Sequence, residues 1–222
     1  SVFGRYSKGG RANADRILFN PNNVNSATGA LLNSAVAVDF VKQAEVGVKY
    51  RSGGLSFYAT AFDARTEEEN YEATTQTVFS RSYKARGVEL TYEQPIGENF
   101  GINANYTYVD GEADGGKPLN GTSENTYNFS AWYENARFNA RVNYSYRSSF
   151  YAGVSRADNF YQDDFDTVSA SLGFKATDWL TISLDGLNLN EPKLKYYALN
   201  RDQPRSIYQN GRQYYLNFRF KF

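Results

Sequence analysis

Histidine, cysteine and methionine are absent from the 222 residues. Without cysteine there is neither a disulfide framework nor a thiolate metal site. Without histidine the usual general base and the commonest neutral metal ligand are missing. Most hydrolase and transition-metal chemistries are thereby excluded, and no cofactor is expected. No run of 18 apolar residues occurs, so no transmembrane helix can be placed. Neither sign of charge dominates, with 24 basic and 24 acidic residues. That balance gives no global pull toward nucleic acid or an anionic surface. No signal peptide stands at Ser1. The chain begins inside what reads as a strand, as a processed, truncated or fragmentary chain would.

Aromatic residues are abundant: 19 Tyr and 16 Phe. The last ten residues show how they are used. Tyr214, Leu216, Phe218, Phe220 and Phe222 fall on one side of an extended chain. Gln213, Tyr215, Asn217, Arg219 and Lys221 fall on the other. Period two is the signature of a strand with one apolar and one polar face. The same alternation recurs in ten segments: about 1–8, 41–50, 55–65, 84–93, 100–109, 124–134, 137–147, 167–175, 180–185 and 213–222. The facing of 55–65 is ambiguous, and a register shift is expected near Gly186, at a bulge. No helical period appears. The fold class expected is all-β.

Charge placement separates a membrane barrel from a soluble sandwich, which would also alternate. In 137–147 and 213–222 every Arg and Lys lies on the polar side. An Arg facing lipid at the midplane would cost roughly 2–4 kcal/mol, so a bilayer demands this segregation. A sandwich leaves unexplained an outward face of Phe, Tyr, Val and Ala with almost no charge. Connection lengths agree. Short turns follow residues 50, 93, 134 and 175; long connections cover 9–40, 66–83, 110–123, 148–165 and 190–211. Short and long alternate, as in outer-membrane barrels with short periplasmic turns and long external loops. An even strand count then puts both termini on the periplasmic side. The expectation is an antiparallel transmembrane β-barrel domain, or a fragment of one, over 1–222.

Several segments carry a family likeness. Phe3 through Gly9, Gln43 through Lys49, Ala85-Arg86-Gly87-Val88-Glu89-Leu90, Phe138 through Arg147, Leu187-Asn188-Leu189-Asn190-Glu191, and Gly211-Arg212-Gln213-Tyr214-Tyr215 through Phe222 follow one another in order. This ordered set resembles the barrel strands of TonB-dependent outer-membrane receptors of Gram-negative bacteria. That family has a 22-stranded barrel, an N-terminal plug and a TonB-contacting box. Ten strands with neither plug nor box resemble the C-terminal part of such a receptor. The resemblance implies energy-coupled uptake of a scarce solute, such as an iron chelate, a cofactor or an oligosaccharide, and no enzymatic activity. It implies several partners: outer-membrane lipid and lipopolysaccharide, the barrel-assembly machinery through terminal Phe222, and the receptor's own plug and TonB. Nucleic acid is not among them. A passive channel, a ten-stranded outer-membrane enzyme and an adhesin are the rival functions. The enzyme lacks the His its site would need.

Substrate-binding candidates are aromatics and arginines of the long connections. Phe150, Tyr151, Arg156, Phe160 and Tyr161 lie in one; Tyr196, Tyr197, Arg201, Arg205 and Tyr208 lie in another. Aromatic rings stack on sugar or catechol rings, and Arg binds carboxylates bidentately. Loop packing and interfacial anchoring are the plainer roles for the same side chains. Trp132 is expected to point into the lumen, toward ligand, plug or ordinary packing. Asp110-x-Glu112-x-Asp114-Gly115 imitates the start of a calcium loop, but Gly121 stands where a bidentate Glu is required. Asp163, Asp164 and Asp166 read as a hydrated loop. Arg137, Arg141 and Arg147 form a ladder expected to pair with Glu89, Glu93 and Asp185.

Overall fold

A computed structural model describes residues 1–12, 27–29, 38–72 and 77–222. Ten strands form its main sheet: β1 (Val2–Ala12), β2 (Val38–Ser52), β3 (Leu55–Glu72), β4 (Thr77–Ile96), β5 (Phe100–Ala113), β7 (Asn125–Glu134), β8 (Phe138–Arg147), β11 (Phe165–Lys175), β12 (Leu180–Leu187) and β15 (Gln213–Phe220). A two-residue strand, β6 (Lys117–Pro118), pairs with the end of β5. Four shorter strands, β9 (Phe150–Ser155), β10 (Asp158–Gln162), β13 (Leu194–Tyr197) and β14 (Ser206–Tyr208), make a second sheet. The main sheet is antiparallel, in the order β1-β2-β3-β4-β5-β7-β8-β11-β12-β15. Among the described residues its two outer edges, on β1 and β15, pair with nothing. An exposed edge is a template for further pairing, and the sheet is one wall of a barrel.

Cross-strand partners share a face, so the register sorts the side chains. On one face Tyr92, Ala104, Phe129, Tyr144 and Val168 stand in one row, and Ile102, Ala131, Val142 and Ala170 in the next. Nearer the short turns come Phe138, Phe174, Ile182 and Phe218. On the other face Thr91, Asn105 and Asn128 align, as do Ser171, Asp185 and Tyr215. The polar face is knitted by side-chain hydrogen bonds. Ser130 Oγ lies 2.7 Å from Asn103 Oδ1, and Asn217 Nδ2 donates to Asp185 Oδ2 at 2.7 Å. Nothing covers the apolar face: Leu172 is 58% exposed and Leu216 61%. Among the described residues Ala198 is the one buried hydrophobic. A continuous apolar surface of this extent is far larger than water tolerates on a monomer, and it fits hydrocarbon. Tyr6, Tyr108, Tyr127, Tyr146 and Tyr214 border it toward the long connections. Tyr50, Phe57, Phe100, Tyr133, Phe138 and Phe220 border it at the short turns, so aromatic girdles stand at both interfaces.

All ten expected strands are present, with corrections to their extent. β3 has 18 residues and β4 has 20, about twice what crosses a bilayer. The expected loop 66–83 is therefore strand over 66–72 and 77–83, and 73–76 lie outside the described residues. Beyond the bilayer both faces of a hairpin are wet, so apolar alternation stops while hydrogen bonding continues. For the same reason β1 and β2 shorten the connection expected at 9–40; residues 13–26 and 30–37 lie outside the described set. The ambiguous third strand is settled by its partners. Ala59 and Ala61 face the apolar side with Leu90 and Val88, whereas Phe62 sits opposite Gly87 on the polar side. Phe62 is accommodated because a Cβ on Gly87 would lie 2.7 Å from its ring. No bulge occurs at Gly186: β12 pairs in continuous register with both neighbours. The apparent shift comes from Leu189, which folds back over Gly186 after a positive φ of 55° at Asn188. Both Val2 and Phe220 lie at the short-turn end, as the even strand count requires.

Candidate functional site

The second sheet is built from the connections after β8 and β12. β9 and β10 form a hairpin whose tip, Arg156-Ala157, has φ of 52° and 72°, the positive pair of a type I′ turn. β13 adds to β10 through Tyr161↔Tyr197 and Gln162↔Tyr196, and β14 adds to β13. A register shift beside Phe160 and Tyr161 brings Tyr151 opposite Tyr161. Tyr151, Tyr161 and Tyr197 thus make one row on one face. Their ring centroids are 5.7 Å apart edge-on and 5.5 Å apart stacked. Each such pair adds about 0.5–1.5 kcal/mol beyond area burial. On the other face Phe160 stacks on Tyr196 at 5.3 Å, Tyr208 meets Tyr196 edge-on at 6.2 Å, and Tyr196 Oη donates to Gln162 Oε1 at 3.1 Å.

This sheet folds over the polar face of the wall. The tyrosine row closes a cavity of about 300 Å³ with Val109, Gly111, Leu119, Thr122 and Phe150. Val109 and Gly111 belong to the polar side of β5, opposite Gly87 and Ala85. Gly111 lets Leu119 and Thr122 approach closely: a Cβ would stand 3.0 Å from Leu119 and 3.3 Å from Thr122. Phe160, Tyr196 and Tyr208 line a second, open depression of about 400 Å³ with Leu194 and Ser206. Burial, then the negative charge of Asp163, pushes the Tyr197 phenol above its ordinary range. The row therefore presents ring faces, with the Tyr197 hydroxyl held neutral.

The arginines are structural fasteners in this arrangement. Arg205 donates to Ser155 O at 2.8 Å and also holds Asp158. Arg201 pairs with Asp163 at 2.6 Å and with Asp164. Asp163 is 6% exposed, so the loop expected to be hydrated is partly buried and ion-paired instead. Arg147 lies over the Phe150 ring at 4.1 Å and donates from Nε to Ser123 Oγ at 3.0 Å. The expected ladder pairing does not form: among the described residues Arg137, Arg141 and Arg147 have no ion pair with Glu89, Glu93 or Asp185. Asp185 binds Asn217 instead.

Phe150, Tyr151, Phe160, Tyr161, Tyr196, Tyr197, Arg201, Arg205 and Tyr208 are thus gathered in one sheet and its straps. Arg156 stands apart at the exposed hairpin tip. Trp132 lies in the main sheet near the short turns, on the polar face, packed against Gly101; a Cβ there would be 2.2 Å from its ring. Asp158, Gln162, Asp163 and Leu119 complete the site and were missed from sequence. No local signal announced them: the turn before Asp158 is Arg156-Ala157, without the Asn, Asp or Gly that marks a positive-φ tip in sequence. Among the described residues no group of three or more carboxylates could hold a metal. The calcium-like Asp114 instead accepts from Ser82 N at 2.6 Å.

A family model described as TonB dependent receptor-like, beta-barrel, matches residues 1–189. No curated protein matched the chain in sequence. Among solved structures it is similar to the ferric yersiniabactin uptake receptor FyuA from Yersinia pestis, with 18% identity and TM-score 0.72 over 100% of this chain and 35% of that one. It is similar to the siderophore receptor PiuA from Acinetobacter baumannii, with 18% identity and TM-score 0.71 over 100% of this chain and 34% of that one. The copper transporter OprC gives 13% identity and TM-score 0.71 over 100% of this chain and 37% of that one. The chain spans about a third of the length of these structures, and at such identities the likeness is one of fold. The family match, by contrast, runs through every wall strand from β1 to β12, and on it the chain belongs to the TonB-dependent receptor β-barrel family.

Proposed function

We propose that the chain is the C-terminal part of the barrel of a Gram-negative outer-membrane receptor. It would take up a scarce solute (an iron chelate, cofactor or oligosaccharide) with energy delivered through TonB, and it would not be an enzyme. The observation that carries this reading is the aromatic sheet folded over the polar face at the long-connection end. Rings tiled at the mouth of a wet lumen bind a planar or cyclic solute by stacking. Solved receptors of like fold are named for ferric siderophores and copper, which supports a chelated metal as cargo. Tyr151, Tyr161, Tyr197, Phe160, Tyr196 and Tyr208 supply the stacking surface, and Phe150 backs it. Arg201 and Arg205 hold the sheet in shape. Partners follow from the same reading: outer-membrane lipid, a plug inside the barrel, TonB, and the assembly machinery that takes hold of exposed Phe222.

Uptake of a panel of radiolabelled ferric chelates by cells carrying the complete protein tests the proposal. The expected result is uptake that stops when the proton gradient is dissipated and falls about tenfold with Tyr161→Ala, whose ring touches both neighbours of the row. Uptake indifferent to the gradient would make the protein a passive pore.

A further inference from the structure

At the short-turn end the polar face of β8, β11, β12 and β15 carries a row of bases far from the tyrosine row. Arg137 meets Lys175, whose N donates to Arg137 O at 2.8 Å. Lys175 stands opposite Thr181, and Thr181 opposite Arg219. Strands lie about 4.8 Å apart, so Lys175 and Arg219 are separated by roughly 10 Å across the sheet. Arg219 follows Asn217 by two residues and shares its polar face. The alternation continues to Lys221, whose N donates to Trp179 O at 2.9 Å.

The fold offers this row little counter-charge. Asp178 pairs with Lys175 at 2.8 Å, but its side chain is fully exposed, so water screens the pair. Among the described residues Arg137, Arg219 and Lys221 have no ion pair. Between the turn 176–179 and the end of β15 lies a cavity of about 420 Å³. Lys175, Thr181, Arg219 and Lys221 line it together with Trp179 and Phe220. The Trp179 ring stacks on Phe220, with centroids 6.1 Å apart and planes 16° apart. Stacking occupies one face of the indole, and Trp179 remains half exposed. One cavity thus joins three bases to an open aromatic face.

We propose that this cavity is a binding site for an aromatic carboxylate at the short-turn mouth of the lumen. The lining selects that class. The Arg219 fork accepts a carboxylate bidentately, and Lys175 and Lys221 add charge on either side. The open face of Trp179 takes the ring. An inorganic anion would meet the bases but leave the indole wet, and a neutral ring would leave the bases unmatched. Facing argues against a lipid headgroup: Lys175, Arg219 and Lys221 turn to the polar side, away from Phe218 and Phe220. The site lies at the opposite end of the wall from the aromatic sheet, so it does not depend on which cargo that sheet receives.

The test uses the complete protein in phosphatidylcholine nanodiscs and fluorine NMR of para-trifluoromethylbenzoate. The parent is expected to broaden its resonance saturably. Para-trifluoromethylbenzyl alcohol, without the charge, and trifluoroacetate, without the ring, are each expected to bind at least about fivefold more weakly. Arg219→Gln with Lys221→Gln is expected to raise the Kd about tenfold, and Arg219→Gln alone, should the double variant misfold, about threefold. Trp179→Leu, which keeps an apolar side chain at the rim, is expected to raise it about fivefold. Lys8→Gln with Lys84→Gln, at the other end of the wall, removes as much charge and leaves the Kd unchanged. Equal affinity of parent and double variant, or equal affinity for the alcohol, overturns the site. A loss on Tyr161→Ala as large as that of the double variant would move the probe to the tyrosine row and overturn it too. Binding abolished in phosphatidylglycerol nanodiscs would assign the bases to headgroups, with the same consequence.

Discussion

Val142 and Asn143 are neighbours in the chain with opposite environments, and replacing each by Arg separates them. Val142 is the fifth of ten residues in β8 and lies between Ala131 and Ala170 on the apolar face, 51% exposed to whatever surrounds that face. Asn143 lies between Ser130 and Ser169 on the polar face, where Arg141 and Arg147 already stand. Its one side-chain bond among the described residues, to Ser169 Oγ at 3.4 Å, is long and weak. Val142→Arg places a guanidinium in hydrocarbon near the bilayer midplane and costs roughly 2–4 kcal/mol. That is about one and a half to three powers of ten in the folding equilibrium. Asn143→Arg exchanges one wet polar group for another and costs less than about 1 kcal/mol. Urea titration of the complete protein folded into vesicles, followed by heat-modifiable gel mobility and tryptophan emission, reads both values. Equal costs, or a larger cost at Asn143, would mean that the faces have been assigned the wrong way round and would refute the membrane-wall argument.

Gly87→Ala should destabilise the wall by about 1–3 kcal/mol, because its Cβ would stand 2.1 Å from the Tyr108 carbonyl oxygen and 2.7 Å from the Phe62 ring; urea midpoints check it. Arg205→Ala should release the β9–β10 hairpin from the segment before β14. Limited proteolysis within 150–162 is expected to quicken several-fold while the barrel stays resistant. At the short-turn end, the hydrogen bond from Lys175 holds the Asp178 carboxyl below its ordinary value of 3.8. A lowered native value means that the contribution is complete above the ordinary value and is lost as pH falls through the native one. Amide exchange in the turn 176–179 should therefore quicken only below pH 3.8. A turn equally protected on both sides of that value would count against the pair.

The strands, their facing and the alternation of short and long connections were legible because each is a local consequence of solvent. A ribbon with oil on one side and water on the other must alternate, and Phe218 beside Arg219 declares its two environments without reference to any partner. The signal fades where the environment becomes uniform. Above the bilayer both faces of β3 and β4 are wet, so Thr66 to Glu72 read as loop although they pair residue for residue with Thr77 to Tyr83. The tyrosine row was legible only as a composition. Tyr161 and Tyr197 meet through pairing across distant sequence, and nothing local records it. The arginines show the same division. Sequence supplied Arg201 and Arg205 as ligand-binding cations and Arg147 as a rung of a ladder paired to Glu89, Glu93 and Asp185, whereas the fold spends them on Asp163, Asp158 and Ser123. Periodicity along one strand is set by the medium around it; register between strands, and hence which charges and rings meet, is set by the closure of the chain on itself.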